Sequence, residues 1–274
     1  MHIPTHTYRE TETQRHTIRS PPLASPTPAV PTQIITLPII ETATIEDSAS
    51  SDGKTWDQAL DILQSWNGFR SLYWGRHVEE AWKVQVLVAR ETLNQHYAFL
   101  SSPQWKTLTT TLLAPLYPPP QSQSSPTPTP SPEPNPEKEI SVYHSALQDF
   151  TTNAATLSSA PVTGTAVYLT TSAPGWEKTW ALWTTLVPSV KGCLGCTGGW
   201  ISEPVEGHEA YVVYVGWESI QDHDNYHHTK DFARKRVILG LHNTGWRGYG
   251  HVRFIGVREV KEGESEGGKR EGKL

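Results

Sequence analysis

The sequence predicts an α+β protein built from two copies of a β-α-β-β-α-β unit. The first observation is a Val-rich strand that runs directly into a helix at Glu209–Phe232. The second is a weaker twin of that stretch at Val84–Trp105, which shares the pattern E-[ST]-[LI]-x-x-H. The third is that residues preceding each twin also correspond, so the whole unit is repeated. The matched pairs are Glu91 with Glu218, His96 with His223, Trp56 with Trp180, and Gly68 with Gly192.

Each element of the first half follows from a local pattern. A strand is predicted at Gln33–Ile40, where Pro38 places it at a sheet edge or interrupts it. Apolar residues at helical spacing predict a helix over Trp56–Trp66, and Asn67-Gly68 is a typical stop for it. The remaining elements are strands at Ser71–His77, Lys83–Ala89 and Glu139–Ser145 and helices at Thr92–Leu100 and Pro103–Leu113.

The second half follows the same plan more cleanly. Residues Ala210–Val215 are β-branched, aromatic or small, which is typical of a strand covered on both faces. Ser219 with Asp222 three residues later indicates a helix start. The predicted strands are Thr165–Thr170, Cys193–Ile201, Ala210–Val215 and Gly250–Val257, and the helices are Trp176–Val187 and Ile220–Leu241, the latter continuous or broken. Both halves therefore have the ferredoxin-like order.

Composition shifts set the domain organisation. The two ends of the chain are polar or charged without apolar periodicity, which predicts disordered tails. A Pro/Ser/Thr-rich segment interrupts the first repeat before its last strand. The predicted segments are a tail (1–31), the first repeat (32–146) with its Pro-rich insertion (118–138), a linker (147–160), the second repeat (161–260) and a tail (261–274).

Charge and hydropathy exclude several classes of protein. The chain has 23 Lys and Arg against 28 Asp and Glu, and its net charge of −5 offers no basic field for nucleic acid. No apolar run approaches the roughly 20 residues that span a bilayer, and no apolar secretion signal is present at the N-terminus. Two cysteines in 274 residues fit a reducing compartment. We therefore expect a cytoplasmic protein with neither nucleic-acid nor membrane partners.

The Val-rich strand that runs into WESIQDHDNY within a ferredoxin-like repeat resembles the dimeric α/β-barrel superfamily. Within it, the antibiotic-biosynthesis-monooxygenase-like and stress-responsive barrel proteins are the most similar. Because members usually dimerise around a cavity, the resemblance implies an intramolecular barrel here, a small-molecule substrate or ligand, and possible self-association of the chain. It implies chemistry without a cofactor, such as oxygenation, decarboxylation or cyclisation of aromatic polyketides. Aromatic polyketides belong to secondary metabolism. The Pro-rich insertion is similar to those of filamentous-fungal proteins.

Strand alternation nominates residues for the barrel interior, since one sheet face packs on helices and the other faces inward. On the third strands, Val84, Val86 and Val88 form an apolar set that suits helix packing. The alternate residues, predicted to face inward, are Gln85, Leu87, Val212 and Tyr214. On the last strands, Ile140, Val142, Val252 and Phe254 are assigned to the helices, and Ser141, Tyr143, His251 and Arg253 to the interior. On the second strand, alternation leaves open whether Tyr73 and His77 or Trp74 and Arg76 face inward.

These positions give a candidate site with a stated chemistry. His transfers protons near neutral pH, Arg and Tyr bind a phenolate or enolate, and aromatic walls suit an aromatic substrate. The predicted catalytic residues are His77, His251 and Arg253, and the predicted substrate-binding residues are Tyr73, Gln85, Tyr143, Tyr168 and Tyr214. The alternative interpretation is that these side chains only fill the barrel or lie at its rim.

The repeated histidines His96 and His223 have two interpretations. They could be proton-transfer groups at the barrel mouth, or they could fix the loop before each helix, together with Glu91 or Glu218. Their presence in both halves favours the structural role.

No metal site or cofactor is predicted. His223 and His227 share one helix face but lack further ligands at a metal-binding spacing. Cys193 and Cys196 lie in a predicted strand, where residues three apart point to opposite faces.

The sequence is consistent with three functions. The first is a cofactor-independent enzyme that acts on an aromatic or polyketide-like metabolite. The second is a non-catalytic barrel that binds a small apolar ligand or serves in stress response. The third, with less support, is an interaction protein whose Pro-rich segment binds SH3-like modules. Polar groups that converge on one cavity would favour the first.

Overall fold

The computed structural model describes residues 29–118, 140–149 and 156–260 of the chain. Within these residues, eight strands and six α-helices form two consecutive β-α-β-β-α-β units, which confirms the predicted fold class. The predicted tails and the Pro-rich insertion lie almost entirely outside the described residues. The first strand begins at Val30, inside the segment predicted to be a tail.

The strands of the first half are β1 (Val30–Pro38), β2 (Phe69–His77), β3 (Lys83–Arg90) and β4 (Ser141–Asp149). Those of the second half are β5 (Val162–Thr170), β6 (Cys193–Val205), β7 (His208–Trp217) and β8 (Asn243–Glu259). Strand β8 is much longer than the predicted Gly250–Val257, because its first part pairs with β5 and its second part with β2.

The helices are α1 (Ser51–Ser65), α2 (Leu93–Leu100), α3 (Pro103–Thr107), α4 (Ala173–Leu186), α5 (Ile220–His227) and α6 (Lys230–Lys235). Side-chain caps set their starts: Ser219 accepts a hydrogen bond from the backbone N–H of Asp222 at 3.0 Å, as its sequence pattern predicts. The predicted segment Ile220–Leu241 is broken, because Thr229 caps a new helix. Among the described residues, no helix is both long and apolar enough to cross a membrane.

The eight strands close into one barrel with the order β1-β3-β2-β8-β5-β7-β6-β4. Each half contributes a four-stranded antiparallel sheet in ferredoxin-like order. Two antiparallel junctions join the halves, β2 with β8 and β4 with β6. Residues far apart in sequence therefore meet at these two junctions.

Three hydrophobic clusters hold this arrangement together. One lies between the first sheet and its helices around Trp56 and Val86, and the second lies between the second sheet and its helices around Trp180 and Val213. The third fills the barrel interior, where Leu87 packs with other buried residues from both halves. Burying each large apolar side chain stabilises the fold by about 1.5–3 kcal/mol, so the interior cluster joins the two repeats strongly.

A β-bulge at the β2–β8 junction depends on glycine. The pairing register shifts between Trp74 and Gly75, so that β8 carries an extra residue there. A side chain at Gly75 would place its Cβ 1.7 Å from the carbonyl oxygen of Arg253. Because that oxygen belongs to the backbone of the paired strand, it cannot move away without breaking the junction.

We therefore expect Gly75→Ala to lower the free energy of unfolding by about 2 kcal/mol or more. Urea denaturation followed by circular dichroism measures the change. Gly240→Ala is the matched control, since no atom lies within 4 Å of the Cβ that it adds. Equal unfolding midpoints for the two variants would contradict the assigned bulge geometry.

Candidate functional site

The barrel interior contains most of the residues predicted to face inward. Leu87, Val212 and Tyr214 belong to the interior cluster, and Tyr73 and Tyr143 pack against it. Gln85 follows by strand alternation and is 7 % exposed. These side chains fill space: Tyr214 is completely buried and lies 6.4 Å from Phe254 between ring centroids. The barrel interior around Tyr214 is therefore a packed core. The substrate-binding roles suggested for these residues remain predictions.

The structure settles which face of β2 points inward. His77 pairs with Val252 of the interior cluster, whereas Trp74 packs on the helix side. Burial of His77 lowers its pKa to about 4, with a further contribution from the nearby Lys83 cation. Nε2 of its buried ring has no hydrogen-bond partner among the described residues. His77 is thus a neutral histidine of the interior, and its catalytic role remains a prediction.

The inward placement of His251 and Arg253 is wrong. Their neighbours Val252 and Phe254 belong to the interior cluster, so His251 and Arg253 lie on the outer face of β8. The apolar face of β8 points inward because its outer face near Arg253 is exposed rather than covered by a helix. Tyr168, another predicted substrate-binding residue, also points outward and packs on Trp176 of α4 at 4.5 Å between ring centroids.

A cavity of about 410 Å³ lies on this outer, helix-covered side of the second sheet. We call it the second-half cavity. Its volume is within the range of small-molecule sites. Residues from β5, β7, β8 and helices α4 to α6 form its walls, and most of the large ones are aromatic. The aromatic members are Tyr168, Trp180, Trp183, Trp217, Tyr226, Phe232, Trp246 and Tyr249.

A chain of hydrogen bonds leads from outside into this cavity. The Glu79 carboxylate accepts from the backbone N–H of His251 at 2.8 Å, and its other oxygen lies 2.5 Å from Nδ1 of the His251 ring. On the far side of that ring, Nε2 lies 2.7 Å from Nδ1 of His223. His223 lines the cavity. We call Glu79, His251 and His223 the second-half relay.

Hydrogen-bond chemistry assigns the protons of the relay. A carboxylate only accepts, so Nδ1 of His251 carries a proton and donates it to Glu79. In neutral His251 the lone pair of Nε2 then accepts from Nδ1–H of His223, which leaves a lone pair on Nε2 of His223. Burial, with smaller contributions from the neighbouring His227 and His251, lowers the pKa of His223 to about 3. His223 is therefore neutral at physiological pH.

Glu79 remains an anion in this setting. Partial burial pushes its pKa upward, but the hydrogen bonds from the His251 ring and backbone outweigh that effect and lower the pKa overall. A carboxylate that accepts from the Nδ1–H of an imidazole holds that ring in one tautomer and one orientation. The relay thus forms a continuous hydrogen-bonded path from the cavity wall at His223 to the Glu79 carboxylate.

Trp217 completes the site beside His223. The two rings stack with centroids 4.5 Å apart and an angle of 18° between their planes. Nε1 of Trp217 is buried and has no hydrogen-bond partner among the described residues. Gly164, the cross-strand neighbour of His251, leaves room here, since a Cβ at Gly164 would lie 3.1 Å from Cε1 of His223 and 3.6 Å from Nε1 of Trp217. An unpaired N–H donor therefore lies close to the histidine at the cavity wall.

The first half contains the corresponding histidines but not the relay. His144 of β4 pairs with Glu203 through Nδ1 at 2.5 Å and through its backbone N–H at 2.8 Å. However, His96 is bonded through Nε2 to the carbonyl of Pro31 at 3.1 Å, and Nε2 of His144 lies 3.4 Å from the amide nitrogen of Gln33. No hydrogen bond joins His96 to His144 among the described residues. The proton path found in the second half is therefore interrupted here.

The residue that ends the third strand also differs between the halves. Where β7 ends in Trp217, β3 ends in Arg90, which is completely buried and donates to the backbone carbonyls of Leu63 and Trp66 at the end of α1. Burial lowers the pKa of Arg90 to about 10. The guanidinium fills the space beside His96 with a structural contact, which suits a stabilising role for the first half.

Sequence reasoning missed three members of these clusters: Glu79, Glu203 and His144. The repeated pattern did point to His96 and His223, but it suggested Glu91 and Glu218 as partners, and the structure instead gives His223 a bond to His251. The carboxylates could not be found from sequence because each comes from the hairpin of the opposite half. Glu79 and His251 are 172 residues apart.

Neither Cys193 with Cys196 nor His223 with His227 belongs to a group of metal-binding side chains in the described residues. The described residues contain no group of three or more His, Cys, Asp or Glu side chains that could hold a metal ion. The prediction that Cys193 and Cys196 face opposite ways is wrong, because a bulge between Cys193 and Gly195 turns both towards the second helix-side cluster. Cys193 and Cys196 are not joined by a disulfide, and burial raises the pKa of Cys193 to about 11.

Neither a protein-family model nor a curated protein matches this chain. Solved structures do match this chain. An anthrone oxidase-like protein is similar with a TM-score of 0.57 and 12% identity, over 87% of this chain and 98% of that one. A protein from Lactobacillus acidophilus assigned provisionally as a monooxygenase has a TM-score of 0.49 and 8% identity, over 84% of this chain and 96% of that one. The likeness to the first of these and the closed strand order show that the chain has the dimeric α/β-barrel fold, with both halves of the barrel in a single polypeptide.

Proposed function

We propose that the chain is an enzyme that removes a proton from an aromatic or polyketide-like metabolite in the second-half cavity, without a cofactor for this step. The observation that carries the proposal is the second-half relay, which connects a carboxylate to a neutral histidine at the wall of an aromatic cavity. A neutral imidazole with a lone pair is a general base. The aromatic walls offer flat surfaces against which a ring system stacks.

The low pKa of His223 would by itself argue against a role as a general base, and the relay offsets this. With a pKa near 3, an isolated imidazole would hold a proton poorly. In the relay, a proton taken up by Nε2 of His223 is matched by transfer of the Nδ1 proton to Nε2 of His251. The positive charge then lies on His251, next to the Glu79 carboxylate. The relay therefore supplies basicity that His223 alone lacks.

The proposed step balances as follows. A C–H or O–H bond of the substrate breaks, and its proton forms an N–H bond on His223. The electron pair of a broken C–H bond moves to the oxygen of a conjugated carbonyl and gives an enolate or phenolate. Trp217 belongs to the cavity wall, and its N–H, which has no partner among the described residues, would donate to such an oxygen. A donor of this kind, directed at the developing negative charge, lowers the activation barrier by roughly 3–4 kcal/mol.

This first step is shared by several reactions. The anion can attack a second carbonyl of the same molecule, lose carbon dioxide from a neighbouring carboxylate, or react with dioxygen. These outcomes correspond to a cyclase, a decarboxylase and an oxygenase. The similar structure described as anthrone oxidase-like favours testing the oxygenase branch first. A barrel that binds such a compound without transferring its proton is the non-catalytic alternative.

Anthrone is a suitable probe, because it has an acidic C–H conjugated to a ketone. We expect the protein to accelerate exchange of this hydrogen for deuterium in D2O under argon, followed by proton NMR. Oxygen uptake in air, measured with an electrode, then separates the branches. Exchange with oxygen uptake supports an oxygenase, and exchange alone supports proton-transfer chemistry such as cyclisation. Binding of anthrone without accelerated exchange would overturn the enzymatic proposal and favour the non-catalytic barrel.

A further inference from the structure

The described wall of the second-half cavity carries charge at one place only. At neutral pH the only charged side chain among its described wall residues is Arg236, and no Asp or Glu belongs to the wall. Its two histidines have pKa values lowered mainly by burial, so both are neutral. Its tyrosines are protonated; burial raises the pKa of Tyr249 and of Tyr226 to about 12. The cavity is therefore apolar with a single cation.

Arg236 lies where the cavity opens to solvent. It follows α6 directly, its backbone N–H donates to the carbonyl of Phe232 at 2.8 Å, and its side chain is exposed. Trp246 and Tyr249 on the same rim are 55 % and 50 % exposed. His223 belongs to the buried wall, so the cation and the relay mark different parts of one cavity.

The guanidinium of Arg236 has no ion-pair partner among the described residues. Asp231, the acidic residue of the same helix, pairs with Lys235 at 2.9 Å instead. Asp224 is near enough to act on the pKa values of His227 and Tyr249, but it is not a wall residue. Elsewhere in the described chain, arginines such as Arg247 and Arg258 are paired with carboxylates. Arg236 is therefore available to a ligand.

We propose that the natural ligand of this cavity is an aromatic compound that carries an acidic group, with the anion bound by Arg236 at the rim and the ring system between the aromatic walls. This rests on the proposed function for the identity of the site, and it adds the charge of the substrate. A guanidinium binds a carboxylate through two parallel hydrogen bonds, which also fixes the orientation of the ring. The other end of the ligand then points towards His223 and Trp217.

The size of the effect follows from the exposure of Arg236. An ion pair in contact with solvent contributes modestly and is screened by salt. We therefore expect a carboxylate to bind about two- to fivefold more tightly than a neutral ligand of the same shape. The preference should shrink as salt is added.

Two probes of equal shape test this proposal: 2-naphthoate, which is an anion at pH 7.5, and the neutral 2-naphthamide. Isothermal titration calorimetry measures their affinities for the full chain at low salt. We expect the preference for naphthoate in the unaltered protein, its loss in Arg236→Met, and its retention in Arg234→Met. Arg234 is the matched control, because it is an exposed arginine at the end of α6, two residues before Arg236, and lies outside the cavity wall.

Equal affinities for the two probes in the unaltered protein would overturn the assigned anion site, as would a preference that survives Arg236→Met. Neither result affects the proton-transfer proposal, since anthrone is neutral. Conversely, a protein that prefers naphthoate but fails to exchange anthrone keeps the anion site and loses the proposed activity. Failure of both probes to bind would overturn the cavity as a ligand site.

Discussion

Replacing His223 with glutamine is expected to slow proton exchange about 100- to 1,000-fold, the range in which general bases act. Glutamine keeps a hydrogen-bonding side chain of similar length but cannot accept a proton at neutral pH. His251 would still pair with Glu79, so the barrel junction should persist. Exchange of anthrone under argon, compared with the unaltered chain at equal concentration, gives the ratio directly.

The matched control is His96→Gln, which changes the corresponding histidine of the first half. His96 is completely buried and His223 is 8 % exposed, so both variants disturb a buried site. We expect His96→Gln to lower stability while its exchange rate stays within about twofold of the unaltered chain. Equal losses of activity in the two variants would indicate a general effect on folding and contradict a specific role for His223.

A fall in stability below pH 6.5 is the second large effect that we expect. Burial lowers the pKa of His77 and of His96 to about 4. Above pH 6.5 these histidines are neutral in both the folded and the unfolded chain, so their burial does not lower the free energy of unfolding there. As the pH falls from about 6.5 towards 4, the unfolded chain binds protons that the folded chain does not, and stability is lost.

Each such histidine removes up to about 1.4 kcal/mol per pH unit within that window, so the two together remove up to about 3 kcal/mol per pH unit. This is large against the roughly 5–15 kcal/mol of a typical domain. Urea unfolding at pH 7 and at pH 5 measures the loss, and His77→Leu should reduce the dependence of stability on pH by about one half. Equal stability at the two pH values would show that these histidines are not held neutral.

The sequence contains enough information for the fold because the two halves repeat. The glycines Gly68 and Gly192 follow α1 and α4 and both have positive φ, 72° and 83°. Trp56 and Trp180 occupy matching buried positions on those helices. Such local features survive in a single sequence, since turns and apolar spacing are set by near neighbours.

Strand alternation was reliable for β3 and β7 and failed for β8. In β3 the helix-facing side is the more apolar one, which gave the correct face for Val84 and Val86. In β8 the inward side is the more apolar one, because Arg253 and the exposed Ile255 have no helix above them. Which face a helix covers depends on tertiary packing, and a single strand does not record it.

The relay could not be predicted for a different reason. Its carboxylate comes from the β2–β3 hairpin, and its histidines come from β8 and α5 of the other half. Only closure of the barrel at the β2–β8 junction brings Glu79 to His251. The same closure makes the first half necessary for the proposed activity of the second. The halves also differ beside their repeated histidines, where Arg90 ends β3 and Trp217 ends β7.

The most direct test of this account compares Glu79→Gln with Glu203→Gln in the argon exchange assay. Both carboxylates pair with a histidine of the opposite half, through Nδ1 at 2.5 Å, but only Glu79 belongs to the relay at the cavity. We expect Glu79→Gln to slow exchange at least tenfold and to change its pH profile, while Glu203→Gln leaves both unaltered. An unchanged rate in Glu79→Gln, or an equal loss in both variants, would contradict the proposed proton relay.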